Sequence, residues 1–574
     1  QVEIRLIDSD LTGQNTQNIT VSTDGGDSET LTLDAADPNN PVGIFEGTIS
    51  TAGDPLAISD GVLQVADGQT VTAAYQDVND SNGNPVTLTD TASLDCNEPV
   101  ISNFNIDVSV CGTVISFETD EPAIAVLKCD RLGCDLDDYE IVIKESGLAT
   151  SHSIEITDEL LSDTDYYFRI EATDDVGNTV IDNNDSSCYS FRTPASPFTG
   201  SGTQADPYQI STAQQMNNIG LYPCKWGRYF KLMADLNLSA YTGEQFNIIG
   251  SYADDKPFTG TFDGNARKIS NFTYNSSGVD DAAIFAYVKS PGQIKNIGLI
   301  NVNVSGDGYD AAGLVAYNVG GYIAGCYATG TVTGTAYDNG GLVGYNSYGN
   351  IINCYSLAAV NVSSSNSAGG LAGFTAGGTI KNSYAKGAVT GANACGGFAG
   401  ANFLTALTNC YATGTVSGTN YIGGLIGYSY YAANATSYAT GAVTGNDYVG
   451  GLIGYSDNGS ITYSWASGAV NARHFIGGLV GYDYKTITTK CRAAGAVTAT
   501  GFYAGGLIGY TYSASTTNSY AAGKVVGQYY AAGLAGYTYS GSVTNCYAVG
   551  KVTGKTNYTG GLLAANYAGR ITSS

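Results

Sequence analysis

The strongest constraint on the fold of this chain is a repeat of 27 to 29 residues in its C-terminal part. Each unit is centred on a Gly followed by an apolar anchor, first seen in the Gly-Leu-Val-Ala-Tyr segment at 313–317. A nearly constant period indicates copies of one supersecondary unit that stack on each other. The anchor recurs at Leu342, Leu371, Phe398, Leu425, Leu452, Leu479, Leu507, Leu534 and Leu562.

Two further short blocks accompany each anchor. Cys-Tyr-Ala-Thr-Gly at 326–330 returns at 410–414, and Thr-Val-Thr-Gly at 331–334 returns as Thr-Val-Ser-Gly at 415–418. The unit is too short for a propeller blade and lacks the 3.6-residue period of helical repeats. Three strand-like blocks parted by glycine therefore predict one coil of a three-sided solenoid, whose stacked coils bury a continuous core.

The residues before the repeats predict two smaller β domains. Short alternating strands, such as Val-Glu-Ile-Arg-Leu-Ile at 2–7, are separated by Asp, Gly and Asn turns. We therefore expect an all-β chain, in which two β-sandwich domains precede a right-handed parallel β-helix. The predicted domains are an immunoglobulin-like sandwich at 1–95, a second sandwich at 96–195 and the β-helix at 196–574, with an N-terminal capping segment at about 196–280.

Two resemblances refine this expectation. The segment Leu-Ser-Asp-Thr-Asp-Tyr-Tyr-Phe-Arg-Ile-Glu-Ala at 161–172 resembles the penultimate strand of fibronectin type III domains. That resemblance makes Tyr166 the corner tyrosine and points Phe168, Ile170 and Ala172 inward. The repeats, together with Gly-Thr-Phe-Asp-Gly-Asn at 260–265, resemble the GLUG motif family. That resemblance implies a secreted or cell-surface protein and carries over no catalytic residue.

A short helix is expected just before the first repeat. The segment at 210–219 combines apolar residues with polar ones that suit a helix N-terminus. We expect Ser211 to be the N-cap and Gln214 to complete a capping box.

Charge is divided unevenly along the chain. Residues 1–195 contain 37 Asp and Glu against 6 Lys and Arg, whereas residues 196–574 contain 14 against 18. An acidic N-terminal third excludes nucleic acid as a partner and suits a solvated surface or a basic partner. Its oxygen-rich turns also admit Ca²⁺ as a possible ligand, and we name Asp8, Asp10, Asp77 and Asp80 as candidates. No other cofactor is expected.

The twelve cysteines form two groups. Cys129 and Cys134, five residues apart, are the disulfide candidates in the second domain, where an oxidising compartment would suit them. In the repeats, Cys326, Cys354 and Cys410 alternate with serine at one position of the coil. Small, weakly polar side chains there predict a stacked interior column rather than a metal site, because serine interrupts the column.

Tyrosine is the residue type with the clearest binding potential. Of 43 tyrosines, 38 follow residue 195. One set stands three residues after an anchor, and that odd separation places its rings on the face opposite the buried anchor. We expect an aromatic stripe that either binds glycan, packs against a neighbouring subunit or only stiffens the coil stack. The stripe consists of Tyr317, Tyr345, Tyr428, Tyr455, Tyr482, Tyr510 and Tyr537, with Phe374 in the same column.

Residues suited to catalysis are scarce. The chain has two histidines, His152 and His474, and no Ser/His/Asp set, HExxH, P-loop or dinucleotide fingerprint. Because β-helices also carry polysaccharide-cleaving sites, Asp457 and Asp483 on neighbouring coils are the acids to consider. We nevertheless predict that the chain is not an enzyme.

The sequence thus predicts an extracellular structural protein, such as a subunit of a filament, sheath or layer. The last repeat stops in mid-coil at Ser574 and the chain begins with Gln1, which favours a processed piece or a subunit that pairs through its ends into a polymer. No apolar stretch is long enough to span a membrane. The alternatives are an adhesin that binds carbohydrate through the tyrosine stripe and, third, a polysaccharide-active enzyme.

Overall fold

The computed structural model describes residues 1–574 except 38, 40, 54–58, 81, 158–159, 277, 279–280, 364–366 and 556–557. The chain divides into two compact units, Gln1–Ala195 and Ser196–Ser574. Among the described residues, no helix has the length and apolar character needed to cross a membrane.

The first part of the N-terminal unit is a curled sheet of seven strands. All its pairings are antiparallel except the parallel contact between Ile44–Ala52 and Val62–Gln64. Alternation along the strands places Val21, Leu33 and Phe45 in a common core. The strands are Val2–Ile7, Thr16–Thr23, Ser28–Ala35, Ile44–Ala52, Val62–Gln64, Thr70–Asp77 and Val86–Ser93, and a 3-10 helix spans Ser9–Leu11.

A second seven-stranded antiparallel sheet is organised by one long strand, Gly112–Asp130. Tyr166, Phe168, Ile170 and Ala172 are all fully buried, which confirms that they point inward. The Tyr166 hydroxyl accepts a hydrogen bond from the Leu161 amide at 2.9 Å, as a corner tyrosine does. The strands are Ile101–Ser109, Gly112–Asp130, Ile141–Lys144, Ala149–Ile156, Asp165–Asp174, Thr179–Asp182 and Tyr189–Arg192.

The second unit begins with a short helical segment. The α-helix spans Ala213–Asn218 and is followed by 3-10 helices at Ile219–Leu221 and Pro223–Lys225. Its capping box is formed by Thr212 and Gln215, so the predicted pair, Ser211 and Gln214, was wrong by one residue. Thr212 is the residue with an extended backbone and a hydroxyl that accepts the Gln215 amide, whereas the Ser211 amide donates to the Gln215 side chain.

The remainder of this unit is a parallel β-solenoid whose coils hydrogen-bond into four ladders. Ladder 1 contains Tyr208–Ile210, Tyr229–Leu232, Thr261–Asp263, Gln293–Lys295, Tyr322–Ala324, Asn350–Ile352, Thr379–Lys381, Ala406–Thr408, Ala433–Ala435, Ser460–Thr462, Ile487–Thr489, Ser515–Thr517, Ser542–Thr544 and Arg570–Thr572. Ladder 2 contains Leu236–Asn237, Lys268–Ser270, Thr273–Asn275, Gly298–Gly306, Tyr327–Gly334, Tyr355–Ser356, Ala359–Val362, Tyr384–Ala385, Val389–Thr390, Tyr411–Ala412, Val416–Ser417, Tyr438–Ala439, Val443–Thr444, Trp465–Ala466, Val470–Ala472, Arg492–Ala493, Val497–Ala499, Tyr520–Ala521, Val525–Gly527, Tyr547–Ala548 and Val552–Gly554.

The other two ladders flank the anchor residues. Ladder 3 contains Asp281–Ala282, Asp310–Ala312, Asp338–Gly340, Ser367–Gly369, Asn393–Gly396, Asn420–Gly423, Asp447–Gly450, His474–Gly477, Phe502–Gly505, Tyr529–Ala532 and Thr559–Gly560. Ladder 4 contains Phe285–Lys289, Val315–Val319, Val343–Ser347, Ala372–Ala376, Ala399–Phe403, Ile426–Tyr430, Ile453–Asp457, Val480–Tyr484, Ile508–Tyr512, Ala535–Tyr539 and Leu563–Tyr567.

Stacking of the coils buries one continuous apolar core. In the coil around Leu452, the inward residues are Val443, Val449, Leu452, Ile453 and Ile461, all fully buried. Leu342, Leu425 and Leu479 are buried in the same way, whereas Leu562 in the last coil is only partly buried. The parallel solenoid is confirmed. The coils of the repeats have strands in four ladders, whereas the sequence predicted three strand blocks. The residues around the anchor form two strands, in ladder 3 and ladder 4, because the chain bends at the Gly-Leu pair between them.

Candidate functional site

The predicted tyrosine stripe lies on the outer face of ladder 4. Neighbouring members stand opposite each other in register, as in the pairs Tyr428 and Tyr455, and Tyr455 and Tyr482. Ring centroids in these two pairs are 5.3 and 4.9 Å apart. All seven tyrosines are half-buried. Most have an aromatic neighbour in register on both adjacent coils, whereas Tyr428 follows Ala401 and Tyr537 precedes Ala565 in the column. Burial raises the pKa of Tyr428 to about 12, with a further contribution from the Asp457 charge.

A second aromatic column interlocks with the stripe. Four residues before an anchor, Tyr421, Tyr448, Phe475, Tyr503 and Tyr530 adopt φ values of 51° to 62°. Their rings meet the stripe edge to face, for example Tyr448 against Tyr482 at 5.7 Å. A left-handed backbone at a bulky residue costs about 1–3 kcal/mol. Ala394, four residues before the Phe398 anchor, also has a positive φ, of 42°, so the conformation belongs to this position of the coil, and the aromatic contacts add to its stability where a ring is present.

The sequence reasoning missed a third aromatic column, on the outer face of ladder 2. The tyrosine of the repeated Cys-Tyr-Ala-Thr-Gly block could have indicated this column in the sequence. Successive rings lie nearly parallel, with centroids 4.5 to 4.8 Å apart and interplanar angles of 1° to 6°. The uninterrupted stack consists of Tyr327, Tyr355, Tyr384, Tyr411, Tyr438 and Trp465, and the Arg492 guanidinium continues it 5.2 Å from the Trp465 ring centroid. The ring faces in this column are therefore occupied by neighbouring rings.

The cysteine and serine column lies inside the coil, between ladders 1 and 2. Cys354 and Cys410 are fully buried, and their backbone amides donate to Ser383 and Ser437 on the next coil at 3.1 and 3.2 Å. Each side chain in turn donates to the carbonyl two residues earlier, as Ser437 does to Ala435. Burial raises the pKa of Cys410 to about 12. The column thus satisfies backbone groups at a tight corner, and burial leaves its thiols unreactive.

The two acids considered for catalysis face opposite sides of ladder 4. Asp483 is in register with Ser456 and is fully buried, whereas Asp457 is in register with Tyr484 on the outer face. The prediction that these two carboxylates might approach each other was wrong. Asp457 and Asp483 differ by one position in the register of ladder 4, and successive side chains of a strand point to opposite faces of the sheet. Neither Asp483 oxygen has a hydrogen-bond partner of good geometry, although Thr486 lies nearby, and burial raises its pKa to about 7.

Neither histidine lies in a catalytic arrangement. His152 is 1% exposed, stacks on Phe117 at 4.6 Å and contacts Glu145 and Thr119 through its two ring nitrogens. His474 accepts the Phe502 amide at 3.0 Å through Nδ1. Thr119, His152 and Glu145 thus form a hydroxyl–imidazole–carboxylate chain, with contacts of 3.1 and 2.6 Å. Thr119 and His152 are 5% and 1% exposed, and the Thr119 hydroxyl also donates to the Glu121 carbonyl, so this chain is closed to a substrate.

The predicted calcium ligands act within turns. Asp8 accepts the Asp10 amide and the Tyr75 hydroxyl, at 3.0 and 2.8 Å. Asp77 accepts the Asn79 amide, and Asp80 accepts the amides of two asparagines that follow it, Asn82 and Asn84. The role of these aspartates as calcium ligands stays a prediction.

A different acidic group in the N-terminal unit does converge. One carboxylate oxygen each from Asp95, Glu121 and Asp174 lies within 4.8 Å of the others. Desolvation, a hydrogen bond with Asp95 and nearby negative charges raise the pKa of Glu121 to about 7. Asp174 already accepts the amides of Val176, Gly177 and Asn178. The sequence reasoning missed this group, because its members come from three distant segments.

The disulfide prediction was wrong in its partner. Cys134 pairs with Cys188, at a sequence separation of 54, and Cys129 is a free thiol. Cys129 lies on the long strand Gly112–Asp130 with its side chain fully buried in the core beside Phe168, so it cannot turn toward the loop that carries Cys134. Spacing along the sequence could not reveal this alternation of faces.

The coil geometry coincides with a known repeat family. The GLUG motif matches residues 337–362, 364–390, 445–471, 500–526 and 527–553. The solenoid carries GLUG repeats. Each match covers one turn of the four ladders, so the predicted resemblance to this family is confirmed.

The glycine that recurs in the anchors of this chain has a steric reason in the structure. The glycine before the apolar anchor occurs in all ten anchors from Gly313 to Gly561. A Cβ at Gly424 would lie 2.1 Å from the Gly451 carbonyl oxygen, and one at Gly451 would lie 2.1 Å from that of Gly478. Glycine is thus required because backbone of the next coil occupies the place of a side chain.

Two curated proteins share parts of this GLUG chain. "Halomucin" from Haloquadratum walsbyi is 35% identical over 143 residues, which are 24% of this chain and 2% of that protein. A "Putative Gly-rich membrane protein" from Evansella cellulosilytica is 33% identical over 115 residues, 20% of this chain and 13% of that protein. The chain therefore spans only a small part of the length of these relatives.

Solved structures superpose only loosely on the chain. A putative immunoglobulin A1 protease from Bacteroides ovatus covers 48% of this chain and 79% of its own, with 28% identity and a TM-score of 0.35. An IgA1 protease covers 73% of this chain and 28% of its own, with 15% identity and a TM-score of 0.31. Superpositions this loose carry no functional argument.

Proposed function

We propose that the chain is a non-catalytic extracellular structural protein, a subunit of a surface filament, sheath or layer whose GLUG solenoid supplies length and stiffness. The observation that carries this proposal is the repetition of the same side-chain columns through successive coils. The Leu452 type of anchor, the Cys410 column and the Tyr411 stack all run along the coil stack. Side chains in such columns contact the equivalent side chains of the neighbouring coils, and these contacts make the scaffold stiff.

The distribution of reactive groups supports a role without catalysis. Within the described residues, the interior acid Asp483 and the outward acid Asp457 do not converge, and His474 is bonded to a backbone amide. A glycan-cleaving site needs two carboxyl groups about 5–10 Å apart with access to substrate. A fully buried Asp483 has no such access.

Two observations support a location outside the cytoplasm. The Cys134–Cys188 disulfide is typical of oxidising compartments, and one partial relative is named a membrane protein. The acidic N-terminal third is well suited to a solvated surface or to contact with a basic partner. We propose that this part makes the contacts of the assembly with the cell or with the next subunit.

Electron microscopy with light scattering tests the structural role. The oxidised chain, concentrated with and without Ca²⁺, is expected to associate into regular polymers or layers visible by negative stain. A chain that remains monomeric over the whole concentration range under both conditions would remove the support for assembly. Steady release of oligosaccharides from a polysaccharide panel, abolished by Asp457→Asn, would replace the structural role with an enzymatic one.

A second candidate is an adhesin that binds carbohydrate through the aromatic columns. The outward phenol edges of Tyr428, Tyr455 and Tyr482 favour it, since hydroxyl groups at ring edges donate hydrogen bonds to sugars. Stacking of a sugar on an aromatic ring needs a free ring face, however, and these faces are covered by neighbouring rings. Binding on a glycan array that is lost when these three tyrosines become alanine would favour the adhesin, and an empty array would count against it.

A further inference from the structure

Three aspartates form a row along ladder 3 near the start of the repeats. Asp281 is in register with Asp310, and Asp310 with Asp338. Neighbouring strands of a parallel ladder are about 4.8 Å apart, so the row extends over about 10 Å. Asp281 and Asp310 are 5% and 8% exposed. On the next two coils the row gives way to Ser367 and then Ala394, so these three aspartates occupy one end of the ladder.

Tyrosines line both sides of this row. Tyr309 and Tyr337, each more than half exposed, stack on one another with centroids 5.6 Å apart. On the other side, Tyr252 meets Tyr317 at 5.0 Å, and Tyr317 stacks on Tyr345. Together with the aspartates these rings enclose an open cleft of about 360 Å³. Acidic groups at the base and aromatic rings along the walls give the cleft two complementary means of attracting a cation.

The central carboxyl of the cleft has no partner among the described residues. Asp310 accepts no hydrogen bond and forms no ion pair, although it lines the cleft and is more than nine-tenths buried. Burial, with the charges of Asp338 and Asp281, raises the pKa of Asp310 well above its usual range. A buried carboxyl without a partner is unfavourable in the folded chain, and a bound cation would relieve this.

We propose that this cleft binds an alkylammonium group, carried by a linear polyamine or by a lysine side chain of another polypeptide. A row of carboxyls spread over about 10 Å suits a linear cation, whereas a metal ion needs oxygen ligands that converge on one point. Among the described residues, the acidic oxygens that do converge within 4.8 Å belong to Asp95, Glu121 and Asp174 in the other unit. The tyrosine walls add cation–π attraction to the methylene-linked ammonium groups, which a hydrated metal ion would not gain.

Titration calorimetry of the full chain with spermidine tests this proposal. We expect one site, at which Asp310→Asn weakens binding at least tenfold, because a bound ammonium group can ionise Asp310 whereas asparagine cannot ionise. Tyr337→Leu, a change at an exposed ring, is expected to weaken it about threefold through the lost cation–π contact. Asp457→Asn removes one carboxylate elsewhere on the solenoid and is expected to leave the affinity unchanged. Thermal melts of all variants establish that each one is folded.

Two further arms decide between sources and exclude a metal site. A lysine-containing peptide and its acetyl-lysine counterpart are titrated beside spermidine. Weaker binding of the acetylated peptide shows that the ammonium group is recognised, and a higher affinity for the unmodified peptide than for spermidine would identify a polypeptide as the source. Failure of both spermidine and the peptide to bind, or equal binding to the Asp310→Asn variant, overturns the proposal. So does a Ca²⁺ affinity that exceeds the spermidine affinity, requires Asp310 and is unaffected by Tyr337→Leu.

Discussion

Replacement of Asp483 by asparagine is expected to stabilise the solenoid, and more so at alkaline pH. Asp483 is fully buried, and burial raises its pKa from 3.8 to about 7. The same interior column carries asparagine in other coils, at Asn318, Asn346 and Asn402, so the new side chain has the size and polarity found there. The perturbation removes the ionisable proton and changes little else.

The sign follows from the direction of the shift. The folded state binds the Asp483 proton more tightly than the unfolded chain, so the contribution of this group to stability is complete below pH 4 and is lost as pH rises toward 7. A difference of about three pH units at about 1.4 kcal/mol each gives a cost of about 4 kcal/mol above pH 7. We therefore expect Asp483→Asn to match the wild type at pH 4 and to gain up to about 4 kcal/mol at pH 8.

Urea unfolding followed by Trp465 fluorescence measures this difference in stability. Trp465 lies on ladder 2 of the coil that comes directly before the coil of Asp483, so its fluorescence reports unfolding of this region. All compared chains carry Trp226→Phe so that one tryptophan reports. Asp457→Asn is the matched control, since it removes an outward carboxylate one coil away and should show no comparable gain. A stability difference between wild type and Asp483→Asn that does not change from pH 4 to pH 8 would refute the reasoning.

Three other outcomes follow from the packing. Gly451→Ala should lower the free energy of unfolding by about 2 kcal/mol or more, because its Cβ would lie 2.1 Å from the Gly478 carbonyl oxygen, whereas Gly561→Ala at the same motif position has open space and should be neutral in urea titration. Cys410→Ser should lower the free energy of unfolding by less than about 1 kcal/mol, since serine occupies this column in other coils. Cys410→Val should lower it more, because valine cannot replace the contacts of the thiol with the Ile380 carbonyl and the Ser383 backbone, and thermal melting compares the two variants. Cys134→Ser should destabilise the N-terminal unit by about 4 kcal/mol, the loop-closure value for a separation of 54, and Cys188→Ser should do the same in thermal melts, whereas a Cys129–Cys134 pairing would leave the Cys188→Ser variant as stable as the wild type.

Much of the solenoid could be predicted because each coil repeats the same inward and outward pattern. The anchor leucines and the outward direction of Tyr428 both followed from the period of two along a strand. The same parity, applied to Asp457 and Asp483 at five and four residues after their anchors, places the two acids on opposite faces. The separation of these two acids could therefore have been predicted from the sequence by applying the alternation of side chains to both of them.

Other features depend on distances that no short pattern contains. Cys134 and Cys188 are brought together by the second sheet. Asp95 precedes that sheet, whereas Glu121 and Asp174 lie on two of its strands. The left-handed backbone at Tyr448 contradicts the preference of a bulky residue, and it recurs at Ala394 in the equivalent position of another coil, so the turn of the coil imposes it and not the side chain. The stack from Tyr327 to Trp465 was visible as a repeated tyrosine, but its ring geometry was not.

In-register stacking of the GLUG coils is the claim on which the solenoid, its aromatic columns and the ammonium cleft all depend. Pulsed electron paramagnetic resonance measures it directly with spin labels at exposed positions of one ladder 2 column. The register runs from Thr390 through four coils to Thr498 and six coils to Thr553, and Cys96→Ser removes the exposed native thiol. At about 4.8 Å per coil, we predict distances of about 19 and 29 Å. Distances that fail to grow by one rung per coil would contradict the stack.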